Sequence, residues 1–333
     1  MQKLPSLARR LIAGFLIAAP ALSLGLGANA QSAKVRIAFG DVLSTETLAF
    51  AIALERAKEK GLNYEITYFS KEELAIQAVV NGQADIGVGT PYSVIQKSKA
   101  PVRILFQGTR LVFFPVVDKQ YKSWKDLDGQ PFTFHARGTG TEAIGNIIAK
   151  REGIKFGERS YVPGSENRII AMTKGQIKAS IVDLANKNKL MEMAGDRFRV
   201  LPGVPNPASD ECLFASTTWI GKNQAQADLV VHEFLKLWRE MAADPSVIEK
   251  ERAKRNLMAN QPKEVLAGVT KFYTVGVKEG IYSPLGGNDA VAKADFEFYT
   301  EAGQMQGPAS SLNVGDFWYM SSLDKARKSL GSK

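Results

Sequence analysis

The sequence predicts an α/β protein of two lobes, each a mainly parallel sheet flanked by helices, with the chain crossing between them twice. Three observations predict it. Strand-like and helix-like stretches alternate through the first half of the chain, the pattern of parallel sheets covered on both faces. One stretch occurs twice, as SKEELAIQAVVNGQADIGVGT from Ser70 to Thr90 and as PGSENRIIAMTKGQIKASIVD from Pro163 to Asp183. At one fixed offset Glu73 falls over Glu166, Ile76 over Ile169, Ala78 over Ala171, Gly82 over Gly175 and Gln83 over Gln176. An echo of this kind suggests two similar halves, with a gap between them suited to a small ligand. From Lys222 onward the text is nearly all helical and reads as packing on the first half.

The elements follow in order. Residues 1–30 read as a secretory leader: a basic start at Lys3, Arg9 and Arg10, an apolar run from Leu11 to Leu26, and Ala28-Asn29-Ala30 as a cleavage signal. Cleavage after Ala30 would leave a protein outside the cytoplasm. No Cys follows the apolar run to carry a lipid, which suggests a periplasm. Strands are predicted at 34–39, 63–69, 84–89, 102–107 and 111–117, with helices at 45–60, from Ser70 to about Val80, and from Pro91. Ser70 and Glu73 have the spacing of a capping box, and Asn81-Gly82 stops the helix. A second unit begins near Lys119: a surface helical turn at SWKDLDGQ, strand 131–135, helix 141–151, strand RSYV, the second repeat copy, helix 184–193 and strand 198–201. PGVPNPASDE (202–211) is a connector, and CLFAST (212–217) returns the chain to the first unit. Helices at 223–243, 246–260, 263–279, 289–304 and 321–330 complete it. Lobe one is thus expected at 31–113 plus 214–333, and lobe two at 114–213. Leu229, Val230, Phe234, Leu237, Trp238 and Met241 recur at helical spacing and read as core.

Charge and cysteine content narrow the function. Removing the leader with its three basic residues takes the formal charge from +9 to +6. The charges alternate in sign, as in ERAKEK and EKERAKR, which marks solvated helix faces and not a nucleic-acid patch. Cys212 is the only cysteine, so no internal disulfide forms and stability must come from core burial.

Ligands of open α/β sheets bind beyond the carboxyl ends of strands. Four loops lie there: Gly40 to Glu46, Gly89 to Tyr92, His135 to Glu142, and Asp183 with its neighbours. In HARGTGTE, Gly138 and Gly140 let backbone approach a ligand, Thr139 and Thr141 offer hydroxyls, and the helix start offers free amides. Arg137 adds a forked cation, and together they describe an anion pocket. Asp41, Thr45 and Glu46 stand opposite. The two glutamates, Glu46 and Glu142, equally suit favourable first-turn charges. Thr90, Pro91 and Tyr92 form a third wall, and Phe114, His135 and Trp219 shape the remainder. Asp183 could receive a ligand or cap the next helix, and Glu211 could be a ligand acid or an exposed hinge residue. With His135 and His232 as the only histidines and no G-x-S-x-G, H-E-x-x-H or Walker motif, an enzyme is not expected, nor a cofactor or metal.

The stretches VRIAFG with its Thr-Glu helix, NGQADIGVGTPYSVIQ and SWKDLDGQPFTFHARGTGTE resemble the periplasmic solute-binding proteins of ABC importers, of the nitrate/sulfonate/taurine type, over residues 34–245. The resemblance implies a two-lobed periplasmic-binding-protein fold, type II-like, closing by hinge bending and delivering a solute to a membrane permease. It places the cleft loops at Gly40–Glu46, Thr90–Tyr92, His135–Thr141 and Asp183 and does not specify the ligand; the reading from Arg137 and the amides of Gly138 to Thr141 is a monomer binding a small organic anion such as a sulfonate or carboxylate. Lys178 stands where the family often has Asp or Asn, and HARGTGTE is no known sulfonate signature. Enzymes making a thiamine-pyrimidine precursor share the fold but carry a Cys-rich motif that this chain lacks. A solute sensor, a small-molecule enzyme of the precursor-synthesis kind, and a binder of cationic or neutral solutes lined by Glu46, Asp183 and Glu211 are the other readings.

Overall fold

Apolar residues that alternate with small ones, bounded by turn residues, form two five-stranded sheets with one shared topology. The computed structural model describes residues 34–204 and 208–331. The predicted leader and residues 205–207 of the connector lie outside the described residues.

The first half runs β1 (Val35–Phe39), α1 (Leu48–Glu59), β2 (Tyr64–Tyr68), α2 (Glu72–Val80), β3 (Ile86–Gly89), α3 (Tyr92–Ser98) and β4 (Val102–Gln107). The second runs β5 (Phe113–Asp118), β6 (Phe132–Phe134), α4 (Gly140–Glu152), β7 (Arg159–Tyr161), α5 (Ser165–Thr173), β8 (Ala179–Asp183), α6 (Leu184–Ala194) and β9 (Phe198–Val200). Strand β10 (Cys212–Ser216) re-enters the first sheet. Helices α7 (Thr217–Lys222), α8 (Gln224–Ala243), α9 (Val247–Lys254), α10 (Lys263–Ala267), α11 (Val269–Lys278), α12 (Asp289–Glu301) and α13 (Ser321–Leu330) follow.

The sheet orders are β2-β1-β3-β10-β4 and β7-β6-β8-β5-β9. In each, the strand that arrives from the other half, β10 or β5, is antiparallel to both neighbours, while the first three strands are parallel. The halves therefore exchange one strand. The sequence repeat falls on α2–β3 and α5–β8, and its glycines, Gly82 and Gly175, end their helices at φ of +73° and +75°, a left-handed conformation that glycine adopts without a Cβ penalty. Even the ties inside the copies correspond. The Thr90 amide donates to Glu72 at the start of α2, and the Asp183 amide donates to Ser165 Oγ at the start of α5 (3.3 Å).

The two crossings lie side by side as an antiparallel ribbon. Gly108 N donates to Glu211 O (2.9 Å), Asp210 N to Thr109 O (2.9 Å) and Leu111 N to Ala208 O (2.8 Å). The C-terminal helices hold this ribbon from lobe one. Trp238 Nε1 donates to Gly108 O (2.7 Å), and its ring stacks with Phe234 and meets Phe50 and Phe106 edge-on at centroid distances of 5.4, 5.2 and 5.3 Å. Of the predicted α8 stripe, Leu229 is half-buried and the other five residues are wholly buried. Ser209 is tied to α12 through Asp295, which accepts from its amide (2.7 Å) and its hydroxyl (2.6 Å).

Local chemistry departs from expectation in three places. The Ser70–Glu73 box does not form: Lys71 holds the N-cap position of α2 without a side-chain bond. A capping box forms instead at Ser123 and Asp126, where a 3-10 turn covers Trp124–Leu127. The helix predicted over 246–260 ends at Lys254, before Asn256 and Met258 at φ of 55° and 57°, and the helix over 263–279 breaks at Gly268. Among the described residues no helix is long and apolar enough to cross a membrane.

Candidate functional site

Between the lobes lies a cavity of about 970 Å³. One wall is the loop after β1, Val42 to Glu46, with side chains from α11 and the turn that follows it. The facing wall is Asp183 with the first residues of α6, and Glu166 of α5. The crossings supply Thr109, Arg110, Phe113 and Asp210. A second cavity of about 40 Å³ is bounded by Asp41, Glu46, Glu72, Asp210 and Glu211 on one side and by His135, Thr139, Gly140, Thr141, Gly164 and Ser165 on the other. Glu46, Phe113 and Asp210 line both, so the small space is the inner end of the large one.

Backbone ties fix the loops. Thr47 Oγ1 donates to Val42 O (2.8 Å) and accepts from Ser44 N (2.9 Å), closing the loop before α1. Tyr273 of α11 then donates its hydroxyl to Thr45 O (2.8 Å) and accepts from Ala49 N (2.9 Å), so α1 starts against the C-terminal helices. Across the gap, Thr141 Oγ1 accepts from His135 N (3.0 Å) and Thr139 Oγ1 donates to Ala136 O (2.8 Å). Gly140 lets α4 begin against the first crossing: a Cβ there would stand 2.0 Å from Leu111 Cδ2.

The gap is acidic. Burial pushes Asp41 up to about 6, only partly offset by the amide of Val42. Burial likewise raises Glu72 to about 7 against the donors of Thr90, and raises Asp210, which the charge of Glu72 lifts further. Glu46 and Glu211 stand well above the usual carboxylate range, first from burial and then from neighbouring acids. Glu211 Oε2 is buried and has no hydrogen-bond partner among the described residues. Beneath this set lies Arg168, 0% exposed, donating to Ile181 O (3.0 Å), Val162 O (2.8 Å) and Ser165 Oγ (2.8 Å). Burial lowers it to about 10, so it stays charged near neutrality. His135 is pushed down to about 4 by burial and by Arg168, and its Nδ1 accepts from Gly164 N (3.3 Å), so it is a neutral imidazole at pH 7.

Of the sequence-predicted residues, Asp41, His135, Thr139, Gly140, Thr141 and Glu211 line the inner cavity, Thr45 and Asp183 the outer, and Glu46 both. Asp183 also caps α6, its oxygens accepting from Asn186 N (2.8 Å) and Asn186 Nδ2 (2.7 Å). The others lie elsewhere. Arg137 is exposed and sits over the Tyr161 ring (4.9 Å), because the loop turns outward at Gly138, whose amide is taken by Glu142 Oε2 (2.8 Å). Thr90 is buried and bridges Glu72 to Asp210 O (3.1 Å). Pro91 is buried at the start of α3. Tyr92 is 1% exposed, stacked on Tyr299 and bonded to Asp295, so it belongs to the core. Trp219 is buried in lobe one. Phe114 packs beside Lys187 on the opposite face of β5 from Phe113, and it is Phe113 that faces the gap, because strand side chains alternate.

Sequence reading missed Glu72, Asp210, Glu166, Arg168 and the α11 wall. The repeat held one clue: Glu72 and Ser165 occupy matching helix starts, each tied to the strand end that follows.

A family model described as "NMT1/THI5 like" matches residues 51–248. No curated protein matches the chain by sequence. Among solved structures, a protein from Bordetella bronchiseptica RB50 superposes with a TM-score of 0.71 at 20% identity, covering 90% of this chain and 98% of that one. The ligand-binding component of an ABC-type import system from Staphylococcus aureus, with zinc bound, gives 0.66 at 15% identity, covering 88% and 98%. The periplasmic nitrate-binding protein NrtA from Synechocystis PCC 6803 gives 0.66 at 13%, covering 90% and 89%. At these identities the likeness is one of fold. The two relatives with stated roles are binding components and not enzymes.

Proposed function

Because the chain belongs to the NMT1/THI5-like family, we propose that it is an extracytoplasmic solute-binding protein that captures a small organic solute between its lobes and delivers it to an ABC permease. The carrying observation is the 970 Å³ gap walled by the strand-end loops of both pseudo-equivalent halves, with the crossings as its floor. That volume suits a drug-sized or smaller ligand. The paired crossing strands can flex as a hinge while each sheet stays rigid. The solute class expected from HARGTGTE, an organic anion held by Arg137, draws little support from an exposed Arg137 and a gap crowded with carboxylates. In this reading residues 1–30 direct export and are removed after Ala30, and the mature chain works in the periplasm as a monomer.

The cleft offers little for covalent chemistry. Cys212 is buried with its thiol raised well above its ordinary value, and His135 is neutral and already accepting a backbone bond. Native mass spectrometry of gently purified protein tests the reading. One small molecule bound one-to-one, recovered chemically unchanged after denaturation, is the expected result. A bound species recovered as a reaction product would move the assignment to an enzyme.

A further inference from the structure

The chain carries a formal charge of +9, yet its gap is lined the other way. Six carboxyl groups line the outer cavity and five the inner, Glu46 and Asp210 being shared. Among the described residues Arg110, Lys189 and Lys271 are the cationic side chains of the outer lining, and the inner lining has none. Arg168 lies beneath the set and its charge acts on Asp183, Glu46, Glu166 and Asp41, but its N–H groups are taken by two carbonyls of its own lobe and by Ser165, and it lines neither cavity, so it offers a ligand no donor. Carboxylates gathered out of water repel one another and lack hydration, and a positive ligand relieves both costs together. Among the described residues the buried Glu211 Oε2 has no hydrogen-bond partner, which leaves a carboxyl oxygen at the inner end open to a ligand. The outer chamber is different in character: Phe272, Val275, Ile281 and Tyr282 face Leu184 and Phe113 across it.

Resting on the capture reading above, we propose that the solute is an amphipathic organic cation. Its protonated nitrogen centre, an ammonium or amidinium, seats against Glu46, Asp210 and Glu211 at the inner end. Its apolar or aromatic body fills the outer chamber against α11. A nitrogen with two or more N–H groups can serve several of these acceptors at once. An anion of the same size would find no cationic side chain in the described inner lining, where each carboxyl that ionised would repel it, and outside it would find Arg110, Lys189 and Lys271 set among six carboxyl groups.

The test is a titration of the full mature chain with matched probes: benzamidine and phenethylammonium as cations, benzenesulfonate and phenylacetate as anions, benzyl alcohol as the neutral control. The cations should bind at least tenfold more tightly than either anion. Glu46→Gln and Asp210→Asn, which keep side-chain shape, should each weaken benzamidine at least tenfold, while Arg137→Ala leaves it within twofold. Unliganded melting temperatures of the two carboxyl variants should equal or exceed the parent's, which separates lost binding from lost folding. Calorimetry near pH 6.5 in buffers of different ionisation enthalpy should show net proton release with benzamidine, because the bound cation favours ionised carboxylates. Tighter anion binding, or proton uptake on binding, would overturn the charge assignment and leave solute capture standing. No binding by any probe at millimolar concentration would also overturn it, whereas the absence of a solute in native mass spectra counts against capture itself.

Discussion

Stability of the unliganded protein should fall as pH rises from about 5 to about 8, and Glu72 is the residue through which to show it. Glu72 is 6% exposed and has been raised from an ordinary 4.5 to about 7, chiefly by burial. A carboxyl with a raised folded-state value binds protons more tightly in the native state than in the unfolded chain. Its contribution is therefore present in full below about pH 4.5 and lost as pH climbs through about 7. At about 1.4 kcal/mol per unit, the gap between those two values corresponds to about 3 kcal/mol. Glu72→Gln keeps an acceptor for the Thr90 amide and removes the charge. The variant should stand within about 1 kcal/mol of the parent at pH 5 and exceed it by about 3 kcal/mol at pH 8, a rise of roughly 6–12 °C in melting temperature. Differential scanning calorimetry across that range reads it directly. An identical difference at both pH values, or a parent that gains stability toward pH 8, would refute the reasoning.

Other perturbations follow from the same structure. Arg168→Met strips the donors from Ile181 O and Val162 O in a fully buried place, and two buried acceptors left unpaired should cost about 2–6 kcal/mol in urea unfolding. Gly82→Ala and Gly175→Ala place a Cβ at nearly equal left-handed φ with open space around it, so each should cost about 1 kcal/mol and the two melting-temperature losses should agree. Gly140→Val drives a side chain into Leu111 at the first crossing; unfolding should show a loss of about 1–3 kcal/mol, and solute affinity should fall with it.

Much of the fold was legible because it rests on local periodicity. The strand-helix alternation and the repeat copies identified both halves, and Gly82 and Gly175 stop their helices by backbone conformation alone. The α8 stripe was equally plain, since Phe234 and Trp238 recur on one helical face and pack there. The site was harder to read. Asp41, Glu72, Glu166, Asp210 and Glu211 are scattered along the chain, and only the exchanged strands and paired crossings bring them around one space. Arg137 carried the sequence reading because Arg beside glycines suggests an anion, yet the turn at Gly138 points it to solvent. Phe114 missed the gap by one residue, a parity that periodicity leaves open in a strand buried on both faces. Tyr92 sits at a strand end as the loop rule requires, but Asp295, two hundred residues away, draws its hydroxyl into the core.

The most direct test of the account is the distance between the lobes. Leu74 on α2 and Ile170 on α5 are 50% and 46% exposed, one on each lobe, while the native Cys212 is buried. Spin labels at Leu74→Cys and Ile170→Cys should give a pulsed-dipolar distance distribution that shifts and narrows when benzamidine saturates the protein. A distribution unchanged at full occupancy of benzamidine would contradict closure of two lobes over a solute.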